Sequence, residues 1–311
     1  MHFKLWDYNK VFFFDFDDNI ISLIDTYVYY YEVVNNNIKL RQIDPKDFIS
    51  FSTLNYNKWK IWSLEKYDDL VDKVKDWTIQ EYQYYIIYEL TYKDFINDEL
   101  FLEHIEKTCN LGPVEFINRL WLSFPSFLES YFNKEDSLYI ITARGQSSDT
   151  LDIGIKKIIE KFIEIVIENY NWKYKFKNNK VFDISNLNNY IENFWFKIAN
   201  NKLSDIINYF DISKNIIPAT NQKTLERFWI KQKAKPEKGK IIIRLLDDIL
   251  LTSDSENWLI WFSDDIVKNI DEVEKEIKEY LEKTSKDYNK NISIYLFHVL
   301  DKEEFIKVHH Y

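Results

Sequence analysis

The chain has one cysteine among its 311 residues, Cys109, so no disulfide can form within it and a reducing compartment is expected. A thiol nucleophile is not expected either. Histidine is also scarce: His2, His104, His298, His309 and His310 show no short zinc-site spacing, and no catalytic role is assigned to them. Positive charge is in deficit, with a formal net charge of -10. Such a surface repels polyanions, which argues against a dedicated nucleic-acid binder without forbidding a local basic groove. No uncharged apolar run is long enough to cross a bilayer, and Met1-His2-Phe3-Lys4-Leu5-Trp6 is no basic-then-apolar leader. The expectation is a soluble, cytoplasmic protein without membrane or disulfide partners.

Apolar residues make up 46% of the chain and aromatics 18%, enough to exclude wholesale disorder. The length suits one large domain, or a core carrying a sizeable insertion. The most informative segment is Val11-Phe12-Phe13-Phe14-Asp15-Phe16-Asp17-Asp18-Asn19, where a short apolar run meets three carboxylates. A run of that length reads as a buried parallel strand, which puts the acids at its carboxyl edge, where open α/β sheets build their sites. Crowded carboxylates repel one another and are tolerable mainly around a hard divalent cation, Mg²⁺ being the natural candidate. The plain alternative is a solvated turn, which Asp and Asn favour.

Two further apolar runs end in the same way. Leu138-Tyr139-Ile140-Ile141 runs into Thr142-Ala143-Arg144-Gly145, and Trp258-Leu259-Ile260-Trp261-Phe262 into Ser263-Asp264-Asp265. Acids, then a hydroxyl, then acids again follow in chain order. That series resembles the haloacid dehalogenase superfamily of aspartate-dependent phosphohydrolases. Asp15 and Asp17 match its first motif, Thr142 its second, and Asp264 with Asp265 its last. Its third-motif lysine is best matched by Lys238, with Lys231, Lys233, Lys235 and Lys240 as competitors. Asn19 stands where the family most often has Thr, and it keeps a polar group able to hold the turn.

The resemblance implies a doubly wound, mainly parallel α/β sheet with a cap inserted after the first strand as a lid. It implies Asp15 as the nucleophile, forming an aspartyl-phosphate, and Asp17 as general acid and base with a pKa nearer neutrality than an isolated Asp. Mg²⁺ would be held by Asp15, the Asp17 backbone carbonyl, Asp264 and Asp265, with Thr142 and Lys238 on the phosphoryl oxygens. Arginine is rare beside lysine, yet Arg144 directly follows the Thr142 strand; it either forks onto a substrate phosphate or is a surface residue near a carboxylate. Among only four glycines, Gly145 and Gly239 fall in these motifs, where a turn needs positive φ or a phosphate needs close approach.

Residues 1–22 and 133–311 are thus read as the core and residues 23–132 as a mainly helical cap, from spacings such as Leu70, Val71, Val74 and Trp77, or Phe116, Ile117, Leu120 and Trp121. The cap's aromatics suit a core, or a stack with a base or sugar ring. Helices are expected near Thr150–Tyr170, from Lys238 through Ile249, and near Asp271–Lys283, then an edge strand Ile292–Val299. Residues 183–235 read as a possible second insertion. The alternating Trp172-Lys173-Tyr174-Lys175-Phe176-Lys177 suits a lysine-protected edge strand or a phosphate-and-base platform.

The leading expectation is a Mg²⁺-dependent phosphomonoesterase for a small metabolite or nucleotide. A second reading is removal of phosphate from nucleic-acid ends, since Phe262-Ser263-Asp264-Asp265 and the lysine clusters are similar to those of polynucleotide-end phosphatases. A third, from another class, is a non-catalytic interaction module with an aromatic surface.

Overall fold

Val11, Phe12, Phe13 and Phe14 form the buried part of a strand, β1 (Asn9–Phe14), that is covered on both faces. In this computed structural model Val11 and Phe13 join a core with Ile241, Leu245, Val273 and Ile277. Phe12 and Phe14 stack on each other on the opposite face, where the Phe14 ring meets Phe127 edge-on at 5.8 Å. Burial on both sides is what an unbroken apolar run without alternation demands. The structure describes residues 8–23, 28–34, 37–43, 59–61, 83–87, 97–133, 136–177, 179–185, 203–207, 210–230, 238–288, 290–299 and 304–310.

Chain packing gives two units, Met1–Leu23 with Ile105–Tyr311, and Ile24–His104. Two strands of the first unit flank β1: β6 (Ser137–Thr142) on one side and β10 (Asn257–Asp264) on the other. Both pair with it in parallel, as do β9 (Ile216–Pro218) with β6 and β11 (Asn291–Val299) with β10. The last strand, β12 (Glu304–His310), closes the sheet antiparallel to β11, in the order β12-β11-β10-β1-β6-β9. Helices lie on both sides, giving a mixed α/β fold with a mostly parallel central sheet. The register sets Phe14 beside Ser263 and Ile140. Asp15 therefore leaves the sheet next to Asp264, and Thr142 ends the neighbouring strand at the same edge.

The helices follow the spacings in the sequence. α4 (Ser148–Asn169) starts at Ser147, whose hydroxyl accepts the Thr150 N–H at 3.1 Å, and it buries Ile155, Ile158, Ile159, Phe162 and Val166. α7 (Lys238–Thr252) buries Ile241, Ile242, Leu245, Leu246 and Leu250, and α8 (Val267–Tyr288) buries Ile270, Val273, Ile277 and Leu281. A Cβ added to Gly239 would lie 2.7 Å from a carboxylate oxygen of Glu276. That glycine therefore leaves room for the Glu276 side chain of α8, which is a packing role. Among the described residues no helix is long and apolar enough to cross a membrane.

Four expectations change. The cap boundary moves: α2 (Pro113–Arg119) and α3 (Phe124–Phe132) belong to the unit that holds the sheet, where Phe124 packs edge-on against Phe162 at 5.1 Å. Within the other unit the described residues form mostly strands. β2 (Val28–Val34), β3 (Asn37–Ile43), β4 (Trp59–Ile61) and β5 (Gln83–Ile87) make a four-stranded sheet in the order β3-β2-β5-β4. Val-Tyr-Tyr-Tyr-Glu-Val-Val is β-branched or aromatic at every position but Glu32, and that preference outweighs the helical spacing seen nearby. Leu70, Val71, Val74 and Trp77 lie outside the described residues.

In the proposed second insertion, Ile216–Pro218 instead completes the central sheet beside β6, its three residues all buried. Pro218 sits where an edge strand tolerates a missing N–H. And β11 is no edge, because β12 covers it. The alternating lysine segment forms a small hairpin, β7 (Lys173–Lys175) with β8 (Val181–Asp183). The rings of Tyr174 and Phe176 pack on Phe162 while Lys173 and Lys175 face solvent, so the aromatics serve the core.

Candidate functional site

The carboxyl edge of β1 bends away through a tight turn. Asp15 N–H still reaches the Ser263 carbonyl at 3.0 Å, Ile20 N–H returns to the Phe16 carbonyl, and Asp18 takes a left-handed φ of 50°. Asp is among the few residues that adopt that conformation readily, and Ser22 Oγ donates to its carboxylate. Asn19 is fully buried beneath the turn. Its amide nitrogen donates to the carbonyls of Asp15 at 3.1 Å and Ser263 at 3.0 Å, while its oxygen accepts from the hydroxyls of Ser123 at 2.6 Å and Ser263 at 2.8 Å. Asn19 thus clasps the ends of β1 and β10 together. Ser123 stands at the N-cap of α3 yet makes no capping bond, its hydroxyl being committed to this network.

Three carboxylates converge at the edge. Asp15, Asp264 and Asp265 each present an oxygen within 4.8 Å of the others, a cluster able to hold a metal ion. Lys238, at the start of α7, is buried between two of them, 2.9 Å from Asp15 Oδ2 and 2.7 Å from Asp264 Oδ2. Asp264 is held firmly in place: Ile266 N–H donates to Oδ1 at 2.9 Å, and Asn269 Nδ2 reaches both oxygens at 3.0 and 3.1 Å. Asp15 is held on one side only, its buried Oδ1 having no hydrogen-bond partner among the described residues. Burial pushes the Asp15 carboxyl up to about 7 against the pull of Lys238, with the charges of Asp264 and Asp17 adding to the rise. Asp265 is raised well above the usual carboxylate range by burial, and then by Asp264 and Asp15. Burial works against the charge on Lys238, but Asp15 and Asp264 outweigh it and hold the ammonium above its ordinary value.

A divalent cation fits this donor set. A buried carboxylate oxygen with no hydrogen-bond partner among the described residues, next to two further acids, is a donor set of the kind a hard cation takes.

The second strand contributes a braced loop. Thr142 is fully buried at the end of β6, and its carbonyl accepts Ala219 N–H at 2.7 Å. Thr220 Oγ1 donates to the Ala143 carbonyl at 2.8 Å and Asn221 Nδ2 to that of Gly145 at 2.9 Å. Arg144 is not the surface residue considered above, and its guanidinium faces a protein carboxylate. It is fully buried, with Nε 3.1 and 2.9 Å from Asp17 Oδ1 and Oδ2 and Nη2 2.5 Å from Oδ1. Asp17 therefore joins Arg144, and its side chain is not among the clustered acids. Since the fork takes both its oxygens, Asp17 accepts hydrogen bonds in this arrangement.

Of the residues singled out in the sequence, Asp15, Lys238, Asp264 and Asp265 come together directly, and Thr142, Asp17 and Arg144 lie on the adjoining strand ends. Sequence reasoning missed Ser123, Asn269 and Gln146. Asn269 was signalled only by standing five residues after Asp264, and Ser123 by preceding Phe124-Pro125 at a helix start. Gln146 is buried, yet neither polar atom of its amide has a hydrogen-bond partner among the described residues. No protein-family model matches this chain, and neither curated proteins nor solved structures provide a match.

Proposed function

We propose that the chain is a Mg²⁺-dependent phosphomonoester hydrolase of the haloacid dehalogenase type, acting on a small phosphorylated metabolite or nucleotide. The observation that carries this reading is Asp15 Oδ1, a buried carboxylate oxygen with no hydrogen-bond partner among the described residues, beside Asp264 and Asp265 at the carboxyl edge of a parallel sheet. That oxygen is placed to be a ligand or a nucleophile, and its partner Oδ2 is steadied by Lys238. Asp15, Asp264, Asp265 and the Asp17 backbone carbonyl would hold the cation, which when bound supplies positive charge against the repulsion between a carboxylate and a phosphoryl group.

In this account Asp15 attacks phosphorus, the bond from phosphorus to the leaving oxygen breaks, and Asp17 in its acid form passes a proton to that oxygen. The alcohol departs and an acyl phosphate remains on Asp15. Water then attacks phosphorus, giving its proton to the Asp17 carboxylate while the bond to Asp15 breaks, so inorganic phosphate leaves and both side chains are restored. Lys238 and Thr142 steady the phosphoryl oxygens as charge builds on them.

The test is phosphate release with and without Mg²⁺ from p-nitrophenyl phosphate, nucleotides, sugar phosphates and end-phosphorylated oligonucleotides. Release that requires the metal and favours a small ester supports the reading. Salt-sensitive preference for the oligonucleotides would shift the substrate to nucleic-acid ends, and no release together with no thermal stabilisation by Mg²⁺ would favour a non-catalytic module.

A further inference from the structure

We infer that Arg144 is a positioning residue for Asp17 and not a ligand of the phosphoryl group, an inference that rests on the phosphomonoesterase reading. The geometry is one-sided. The Arg144 side chain has no exposure while that of Asp17 is 24% exposed, so the carboxylate stands between the guanidinium and solvent. A phosphoryl group arriving from solvent meets Asp17 first and reaches Arg144 only by displacing it.

The guanidinium is also built in from behind. Its central carbon lies 5.6 Å from the centroid of the Phe16 ring, and its backbone N–H donates to Thr142 Oγ1 at 3.3 Å. The carbonyls of Thr142, Ala143 and Gly145 are tied down by Ala219, Thr220 and Asn221. A planar fork on a braced loop fixes the plane of the carboxylate it grips, which a lysine cannot do. Proton transfer to a leaving oxygen needs that aim, because donor and acceptor must meet within hydrogen-bond reach.

A residue that acts through the proton donor affects poor leaving groups more than good ones, whereas a phosphate ligand affects both alike. The experiment compares native chain and Arg144→Lys on p-nitrophenyl phosphate and phenyl phosphate, which share a shape and differ in how much the leaving oxygen needs its proton. The inference predicts that kcat on phenyl phosphate falls at least about tenfold further than on p-nitrophenyl phosphate, with KM on both within about threefold of native. It also predicts that, in an Asp17→Asn background, Arg144→Lys costs less than about threefold. Equal losses on the two esters with a raised KM, or full additivity with Asp17→Asn, would overturn it and make Arg144 a phosphate ligand. Thermal unfolding identifies a variant that fails to fold, and Arg144→Gln then carries the same comparison. If the native chain turns over neither ester the phosphatase reading falls and takes this inference with it, whereas native turnover with equal losses removes the inference alone.

Discussion

Lys238 places its ammonium 2.9 Å from the Asp15 carboxylate, joining the start of a helix to the end of the sheet's inner strand. The same nitrogen is 2.7 Å from Asp264, so a single buried cation offsets two buried acids. Removing one partner of a buried ionic group leaves charge uncompensated and costs about 3–5 kcal/mol. Lys238→Ala is therefore expected to lower the free energy of unfolding by about that amount near neutral pH in a chelator, measured by urea denaturation at constant m-value. A loss below about 1 kcal/mol would show that the carboxylates are not held by this contact.

Asn19 satisfies two carbonyls and two hydroxyls at the floor of the site. Asn19→Ala strands those groups and should cost about 1–3 kcal/mol. Asn19→Asp should be no better, since a carboxylate cannot donate to the carbonyls of Asp15 and Ser263. Urea unfolding of both variants checks this, and a stable Asn19→Asp would contradict the role of the amide donor.

Gln146 buries an amide that makes no hydrogen bond to the described residues. Replacing it with an apolar side chain of similar length removes a desolvation cost of about 1–3 kcal/mol, so Gln146→Met is expected to keep or raise the unfolding midpoint. The result to look for is that midpoint beside turnover: unchanged or higher stability with impaired turnover would mark the amide as a ligand contact. A clear loss of stability would show that it is already satisfied.

The titration of Asp15 gives a pH signature. Its folded value of about 7 lies above the value of 3.8 for an unperturbed Asp, so this group's contribution to folding is full below about pH 4 and is lost as pH rises through about 7. A divalent cation competes with that proton. Mg²⁺ is therefore expected to raise the thermal midpoint by several degrees at about pH 8 and by little at about pH 5.5. Equal shifts at both, read by scanning calorimetry, would place the metal elsewhere.

What was legible in the sequence was the chemistry at strand ends, because a buried strand announces itself by an unbroken apolar run and its end by the first polar residue. Asp15, Thr142 and Asp264 were all found in that way. Lys238 could be proposed but not separated from its lysine neighbours, since burial between two acids depends on the packing of α7 against α8 and not on local pattern. The partner of Arg144 was not legible for a similar reason: Asp17 is distant in sequence, and only the pairing of β1 with β6 brings the two together. Ile216–Pro218 was missed because three residues are too few to show a period. The strands between Val28 and Ile87 were missed because their aromatic and β-branched residues lie among segments with helical spacing.

Phosphate release by native chain and Asp15→Asn in saturating Mg²⁺, on the best substrate of the panel, asks whether Asp15 is the nucleophile. The amide keeps the shape of the side chain but cannot form the acyl phosphate, so kcat is expected to fall by at least about a thousandfold with the fold intact by thermal unfolding. Activity retained within about tenfold of native would contradict Asp15 as the nucleophile, and with it the proposed mechanism.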